Sequence, residues 1–326
     1  MNVGYLKKEI TSYRLIDKIK YFLGIIEIEQ FEDGTVFRLP VFKKERKMQK
    51  VIQRLSNKLK KLEISHVVFS NEIANDEVYL KIEQAVLQKS ISIFDGRTLM
   101  KYMDYDILEY IMNLQKTDMK QEDIYFLIKK DSTLNLQFLS KFIENCKTVN
   151  IVTNDIERFK KIQEKLYEKE NILIGVSNNK TKSLKRAKYI ININFDQKDV
   201  EKYKINRNAI IVNLKNAITY KINTFDGINV NYIKISMPDE YIEKFEKINE
   251  CEQFDNEKIY ESILLKEFEI EQKKNTLLSK KNLEENSDRI SKIIEKDGVK
   301  VVELIGNNGK ISEEEIIRNY QNVIRK

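Results

Sequence analysis

The sequence predicts an α/β protein: a doubly wound, mostly parallel sheet, preceded by a smaller α/β domain and followed by a helical C-terminal extension. Three observations carry this expectation. Between Asp123 and Ser236 a short apolar run recurs six times, at Ile124–Ile128, Val149–Val152, Ile172–Val176, Tyr189–Ile193, Ala209–Leu214 and Val230–Ile235. Runs of this length, rich in isoleucine and valine, match strands buried on both faces of a parallel sheet. Polar helical stretches at Leu134–Asn145, Ile156–Glu168 and Lys180–Ala187 separate them, which implies right-handed crossovers. Finally, 326 residues with 41% hydrophobic side chains exceed one ordinary domain and supply apolar mass for two cores.

The elements follow in order. A helix is expected through Tyr21, then a hairpin in which Ile25–Phe31 and Val36–Val41 flank Asp33-Gly34, a recognised turn signal. The helix Lys43–Lys61, a strand at His66–Ser70, a helix at Asp76–Gln88 and a strand at Ile91–Phe94 complete a small α/β domain. Leu99–Leu114 is helical, and Lys116–Gln121 reads as a linker. The expected domains are therefore 1–115, 122–250 and 251–326. After the six runs, Met237-Pro238-Asp239 opens a helix that Asp239 is placed to cap. Residues Asn256–Lys296 are helical and highly charged, with no sustained heptad. Val299–Ile305, the turn Gly306-Asn307-Asn308-Gly309 and Ser312–Arg325 read as strand, turn and helix, with Ser312 and Glu315 forming a capping box.

Charge narrows the partners. Lys43–Lys61 carries nine basic side chains against the single Glu45, a local excess that accounts for the whole net charge of +7 and leaves the rest of the chain near balance. Met48, Ile52, Leu55, Leu59 and Leu62 form its packed stripe, leaving a basic face. Lys43, Lys44, Arg46, Lys47, Lys50, Arg54 and Lys58 are candidate anion-binding residues, for nucleic acid or an anionic surface. A solvated lysine-rich face is the simpler explanation, since basic faces are common and no nucleic-acid motif accompanies this one. No apolar run approaches the roughly 20 residues a membrane helix needs, and charges interrupt Met1–Lys20, so a soluble, cytoplasmic protein without a membrane span is expected. Cys146 and Cys251 lie in no metal or redox spacing, which suits a reducing compartment. Abundant lysine, isoleucine and asparagine, with two prolines and no tryptophan, resemble the product of an AT-rich bacterial genome.

Ligands of parallel sheets lie at the carboxyl ends of the strands, so polar residues there are the candidate site. Three stretches carry a resemblance. Val149-Asn150-Ile151-Val152-Thr153-Asn154-Asp155, Ala187-Lys188-Tyr189-Ile190-Ile191-Asn192-Ile193-Asn194 and Asn208-Ala209-Ile210-Ile211-Val212-Asn213-Leu214 resemble successive strands of Rossmann NAD(P)-binding domains. They are most similar to those of shikimate dehydrogenases and glutamyl-tRNA reductases. The resemblance implies NAD(P) as cofactor, with Asn154 and Asp155 at the ribose.

One feature departs from that family. Where it has G-x-G-x-x-G/A, so that the backbone can approach a pyrophosphate, this chain has Lys130-Asp131-Ser132-Thr133-Leu134-Asn135. Ser132 and Thr133 are candidate phosphate contacts, although a helix cap is the reading that the missing glycines favour. Asn178, Asn192 and Asn213 complete the candidate cofactor residues; amides at strand ends either orient a ligand or satisfy backbone groups. The Asn178–Ser183 stretch offers lysines and helix amides to an anion, or a solvated cap. Catalytic residues do not emerge: His66, the only histidine, opens an apolar strand, and no nucleophile elbow or metal-ligand cluster is present.

The expectation is a degenerate Rossmann-like protein acting as a non-catalytic binding or regulatory module, with a protein partner or a second copy of the chain as possible associates. Two alternatives stand beside it. One is an NAD(P)-dependent oxidoreductase with an atypical phosphate loop, and the other a nucleic-acid or anionic-surface binder working through the basic helix.

Overall fold

A computed structural model describes residues 2–8, 23–40, 45–129, 137–219, 225–274 and 283–324. The chain is a mixed α/β protein with parallel sheets flanked by helices. It divides into two compact units, Met1–Gly96 with Met237–Leu277, and Arg97–Ser236 with Leu278–Lys326.

The first unit is built on a five-stranded sheet. Its strands are β1 (Val3–Lys8), β2 (Glu27–Phe31), β3 (Gly34–Leu39), β4 (His66–Phe69) and β5 (Ser92–Phe94), ordered β2-β3-β1-β4-β5. All pairings are parallel except the β2–β3 hairpin. Of the helix expected through Tyr21, the part at Val3–Lys8 is a strand, because this segment is the centre of the sheet and is buried on both faces; the rest of that helix lies outside the described residues. Lys7 and Lys8 sit at its carboxyl end.

The hairpin forms where expected, with Phe31 paired to Gly34 across a two-residue turn. Gly34 is required by space: a Cβ there would lie 2.5 Å from the Tyr5 ring. One face of the sheet carries Leu6, Phe37, Leu39, Val67 and Phe69 against Met48, Val51, Ile52, Leu55 and Leu59 of α1 (Glu45–Lys61). Ile73 of α2 (Asn71–Ala74) and Ile82 and Val86 of α3 (Tyr79–Leu87) join that core. Each large apolar side chain so buried contributes about 1.5–3 kcal/mol. On the other face Tyr5 meets Phe245 and Phe254 edge-on and shares a 2.8 Å hydrogen bond with Ser262.

The second unit begins with α4 (Arg97–Tyr102) and α5 (Asp104–Gln115), broken at the buried Met103. Lys116–Gln121, expected as a linker between domains, lies inside this unit. It holds a left-handed cap at Lys116 and a short 3-10 turn.

The six-stranded sheet comprises β6 (Asp123–Ile128), β7 (Thr148–Thr153), β8 (Gly175–Ser177), β9 (Tyr189–Asn192), β10 (Ile210–Asn213) and β11 (Ile228–Val230). Its order is β11-β10-β9-β6-β7-β8 and every pairing is parallel. Numbered from its own first strand, that is 3-2-1-4-5-6, the order of the Rossmann sheet. Alternate residues of β6 feed two cores: Leu127 packs with Val152 and Ile190, while Phe126 meets Phe142 of α6 (Gln137–Asn145) at 5.0 Å between ring centroids. α7 (Ile156–Glu170) buries Phe159 and Leu166.

Several expected elements differ. The third run starts later, at Gly175, because Asn171 ends α7 in the left-handed region and Ile172 N–H returns to Leu166 carbonyl. Lys180–Ala187 is a set of turns instead of a helix. There Asn179 Oδ1 accepts the N–H groups of Thr181 and Lys182, an alternative to helical pairing. The sixth run is two strands. After β11 the chain turns at Asn231 into β12 (Tyr232–Ser236), which leaves the parallel sheet to pair antiparallel with β13 (Lys300–Gly306).

A short α8 (Gln197–Val200) follows β9. Back in the first unit, α9 (Asp239–Phe245) has Pro238 at its cap position, so Asp239 is its first residue and not its cap. The expected C-terminal extension is shared between the units. α10 (Asn256–Lys274) belongs to the first, while α11 (Leu283–Asp297), β13, β14 (Gly309–Ile311) and α12 (Glu313–Ile324) belong to the second. Gly306–Gly309 turns a β13–β14 hairpin, not a strand into a helix. The Ser312–Glu315 capping box is formed in both directions, at 2.8 and 3.2 Å.

Candidate functional site

The strand order reverses between β6 and β9, and a ligand of such a sheet lies outside the carboxyl ends of those strands. Three groups of side chains stand there. The first is centred on Lys129, directly after β6. Its N–H donates to Asn194 Oδ1 at 2.7 Å, and its ammonium pairs with Asp196 at 2.7 Å and with Asp199. Asp199 also holds Lys202 at 2.9 Å. Burial raises the Asp199 carboxyl, but hydrogen bonds and charge from the two lysines outweigh it and bring the group down to about 2. The same carboxylates raise Lys129 above its ordinary value.

The second group lies past β7. Thr153 is buried and its hydroxyl accepts the Asp155 N–H at 3.0 Å. Asn154 is exposed. Asp155 is the N-cap residue of α7, yet its carboxylate makes no capping bond. Asn178 is exposed past the edge strand β8, beside the Asn179 turn, whose two N–H groups are already satisfied.

The third group is a ladder of asparagine amides across β9, β10 and β11. Asn192 donates to Asn213 Oδ1 at 2.9 Å, while Asn192 Oδ1 accepts the Phe195 N–H at 2.9 Å. Asn213 donates to Asn229 Oδ1 at 2.6 Å and to Asn231 Oδ1 at 3.0 Å. Asn231 in turn donates to Asn307, in the β13–β14 turn, and its Oδ1 accepts the Ile218 N–H. Arg97 clamps the outer side by donating to the backbone carbonyls of Asn213 and Asn231. Asn192, Asn213 and Asn231 are 2%, 0% and 5% exposed, so the ladder is dry and its amides are spent on one another.

Of the candidate cofactor residues, the structure therefore brings Asn192 and Asn213 together, places Asn154 and Asp155 after the strand beside β6, and leaves Asn178 apart at the edge. Ser132 and Thr133 lie outside the described residues, as do Lys43 and Lys44. On α1, Arg46, Lys47 and Lys50 are exposed. Arg54 donates to the Leu23 carbonyl at 3.1 Å and Lys58 to the Ile26 carbonyl at 3.2 Å, tying the chain before β2 to the helix. His66 stacks on Phe94 at 4.7 Å and bonds Ser65, a packing role. Burial pushes the Cys146 thiol up to about 12, which keeps it protonated and poorly nucleophilic.

Sequence reasoning passed over Lys129, Asp196, Asp199, Asn229 and Asn231. A usable signal existed for the last two, since asparagines at alternate positions of an apolar strand share one side of it.

Fold and crevice define a doubly wound α/β protein with a Rossmann-ordered sheet. No family model and no curated protein matches the chain. Among solved structures it is similar to L-tryptophan dehydrogenase from Nostoc punctiforme, at 9% identity and a TM-score of 0.27 over 100% of this chain and 90% of that one. It is also similar to ornithine carbamoyltransferase from Pyrococcus furiosus, at 10% identity and a TM-score of 0.25 over 67% and 75%. Likenesses this slight carry no functional argument.

Proposed function

We propose that the second unit is a degenerate Rossmann module that binds or regulates without transferring hydride. One observation supports the reading above the others: the polar groups at the carboxyl ends of β9, β10 and β11 are consumed by the asparagine ladder. A reacting carbonyl needs a donor or proton carrier within about 2.6–3.2 Å. Lys129, the charged group nearest the reversal, is neutralised by two carboxylates. The sequence Lys130–Asn135, without glycine, points the same way. The test is turnover of NADPH with a panel of small carbonyl substrates. No saturable rate is expected, and a saturable one would reject the reading.

One observation favours the NAD(P)-dependent alternative. Asp155 stands just past the strand next to β6, with its carboxylate free of the cap bond it would otherwise make. Thermal-shift titration with NAD, NADP and ATP separates the two, because a ligand of the folded state alone raises its stability. A dinucleotide-dependent shift that Asp155→Ala abolishes moves the alternative forward.

A further inference from the structure

The first unit holds a cation pair that its own fold does not explain. Lys7 and Arg38 are register partners at the carboxyl ends of the parallel strands β1 and β3, so their side chains emerge side by side on one face of the sheet. The strand order of this sheet also reverses beside β1, between β1 and β4. Lys7 is 1% exposed, which is rare for a lysine. Arg38 is held by Glu29 at 2.8 Å, whereas the carboxylate that pairs with Lys7 among the described residues is Glu250, at 3.5 Å. The same Glu250 oxygen lies 3.6 Å from the Arg38 guanidinium. Close charge-assisted hydrogen bonds run to about 2.7–2.9 Å, so Glu250 sits between two cations without fitting either. Burial, and then repulsion from Arg38, holds Lys7 below the ordinary lysine range.

We propose that Lys7 and Arg38 form a binding site for the carboxylate of a small organic acid, and that Glu250 closes it as a tethered stand-in for that carboxylate. The occupant's chemistry follows from the group already there, a carboxylate oxygen shared by an ammonium and a guanidinium. The segment carrying Glu250 is suited to withdrawal. The Glu250 side chain is 55% exposed while Lys7 is fixed in the sheet. Glu252 holds a left-handed φ of 51° without being glycine, which stores strain. Gln253 is 8% exposed and its Oε1 is buried without a hydrogen-bond partner among the described residues, so the closed segment leaves one acceptor unsatisfied there. The site lies wholly in the first unit, and it stands whether or not the Rossmann sheet binds a ligand.

The experiment is a thermal-shift titration of the full chain with sodium succinate at constant ionic strength, in the wild type, Glu250→Gln and Glu250→Gln with Arg38→Gln. Removing the internal carboxylate should lower the succinate concentration needed for a given rise in Tm by about tenfold, because the competitor for the cations is gone. Adding Arg38→Gln, at a partly exposed position, should abolish the rise without unfolding the protein. Lys7→Met in the Glu250→Gln background tests the second cation with an apolar side chain of similar length. The proposal is overturned if the Glu250→Gln protein shows no succinate-dependent rise, or if the rise survives Arg38→Gln. It is overturned as to ligand class if phosphate stabilises Glu250→Gln at lower concentration than succinate.

Discussion

The Asn192 side-chain amide donates to Asn213 Oδ1 at 2.9 Å, joining the carboxyl ends of two neighbouring parallel strands through buried groups. Asn213 is the centre of the ladder, because it accepts from Asn192 and donates to Asn229 and Asn231. Replacing it with leucine, of similar volume, strips three neighbours of a partner at once. Each buried polar group left unsatisfied costs roughly 1–3 kcal/mol. Asn213→Leu should lower the urea midpoint markedly with an unchanged slope. A midpoint within error of the wild type would mean that water replaces the lost bonds and that the crevice is open where the structure makes it closed.

The Lys129 triad makes a prediction about acid. Asp199 titrates near 2 in the folded state against about 4 in an unfolded chain. A depressed carboxyl contributes stability that is fully present above the unfolded value and is lost as pH falls from about 4 toward 2. Removing the cation with Lys129→Met should therefore flatten the fall in stability across that window and leave the region above pH 5 parallel to the wild type. Denaturant midpoints at half-unit intervals of pH measure this directly. An unaltered acid limb would assign the acid sensitivity to other carboxylates.

Much of this architecture was legible from the chain. Apolar runs of isoleucine and valine marked the first five parallel strands, since residues buried on both faces leave no alternation to confuse, while the sixth run meets β11 only at Val230. The hairpin at Asp33-Gly34 and the Ser312–Glu315 box were equally legible, being local chemistry. Two of the misses were set by distant partners. Val3–Lys8 is a strand because β3 and β4 flank it, which its lysines conceal. Val230–Ile235 is two strands because β13, some seventy residues later, captures its second half. In the candidate site, Asn192 and Asn213 were visible as strand-end amides, but their mutual bond depends on strand order. Asp196 and Asp199 went unread in the sequence, because only the fold sets them against Lys129. Lys7 gave no signal, because a lysine's burial is decided by register and not by its neighbours in sequence.

Asp104, the first residue of α5, is a buried charge of the opposite kind. It is 5% exposed, its Oδ1 accepts the Tyr105 N–H at 2.7 Å, and its Oδ2 has no partner among the described residues. Burial raises its carboxyl well above the ordinary range, a nearby Asp106 adds to this, and Lys141 and Lys101 offset it only in part. A carboxyl raised on folding contributes stability that is fully present below the unfolded value, near 4, and is lost as pH rises through the folded value. The wild type should thus lose stability as the solution is taken from pH 5 toward neutrality and above. Asp104→Asn keeps the acceptor for Tyr105 and cannot ionise, so its Tm should hold across the same range and exceed that of the wild type at neutral pH. Melting curves of the two proteins from pH 4 to pH 9 decide the matter. Parallel Tm profiles would show that Asp104 ionises at no cost, and hence that water reaches the start of α5.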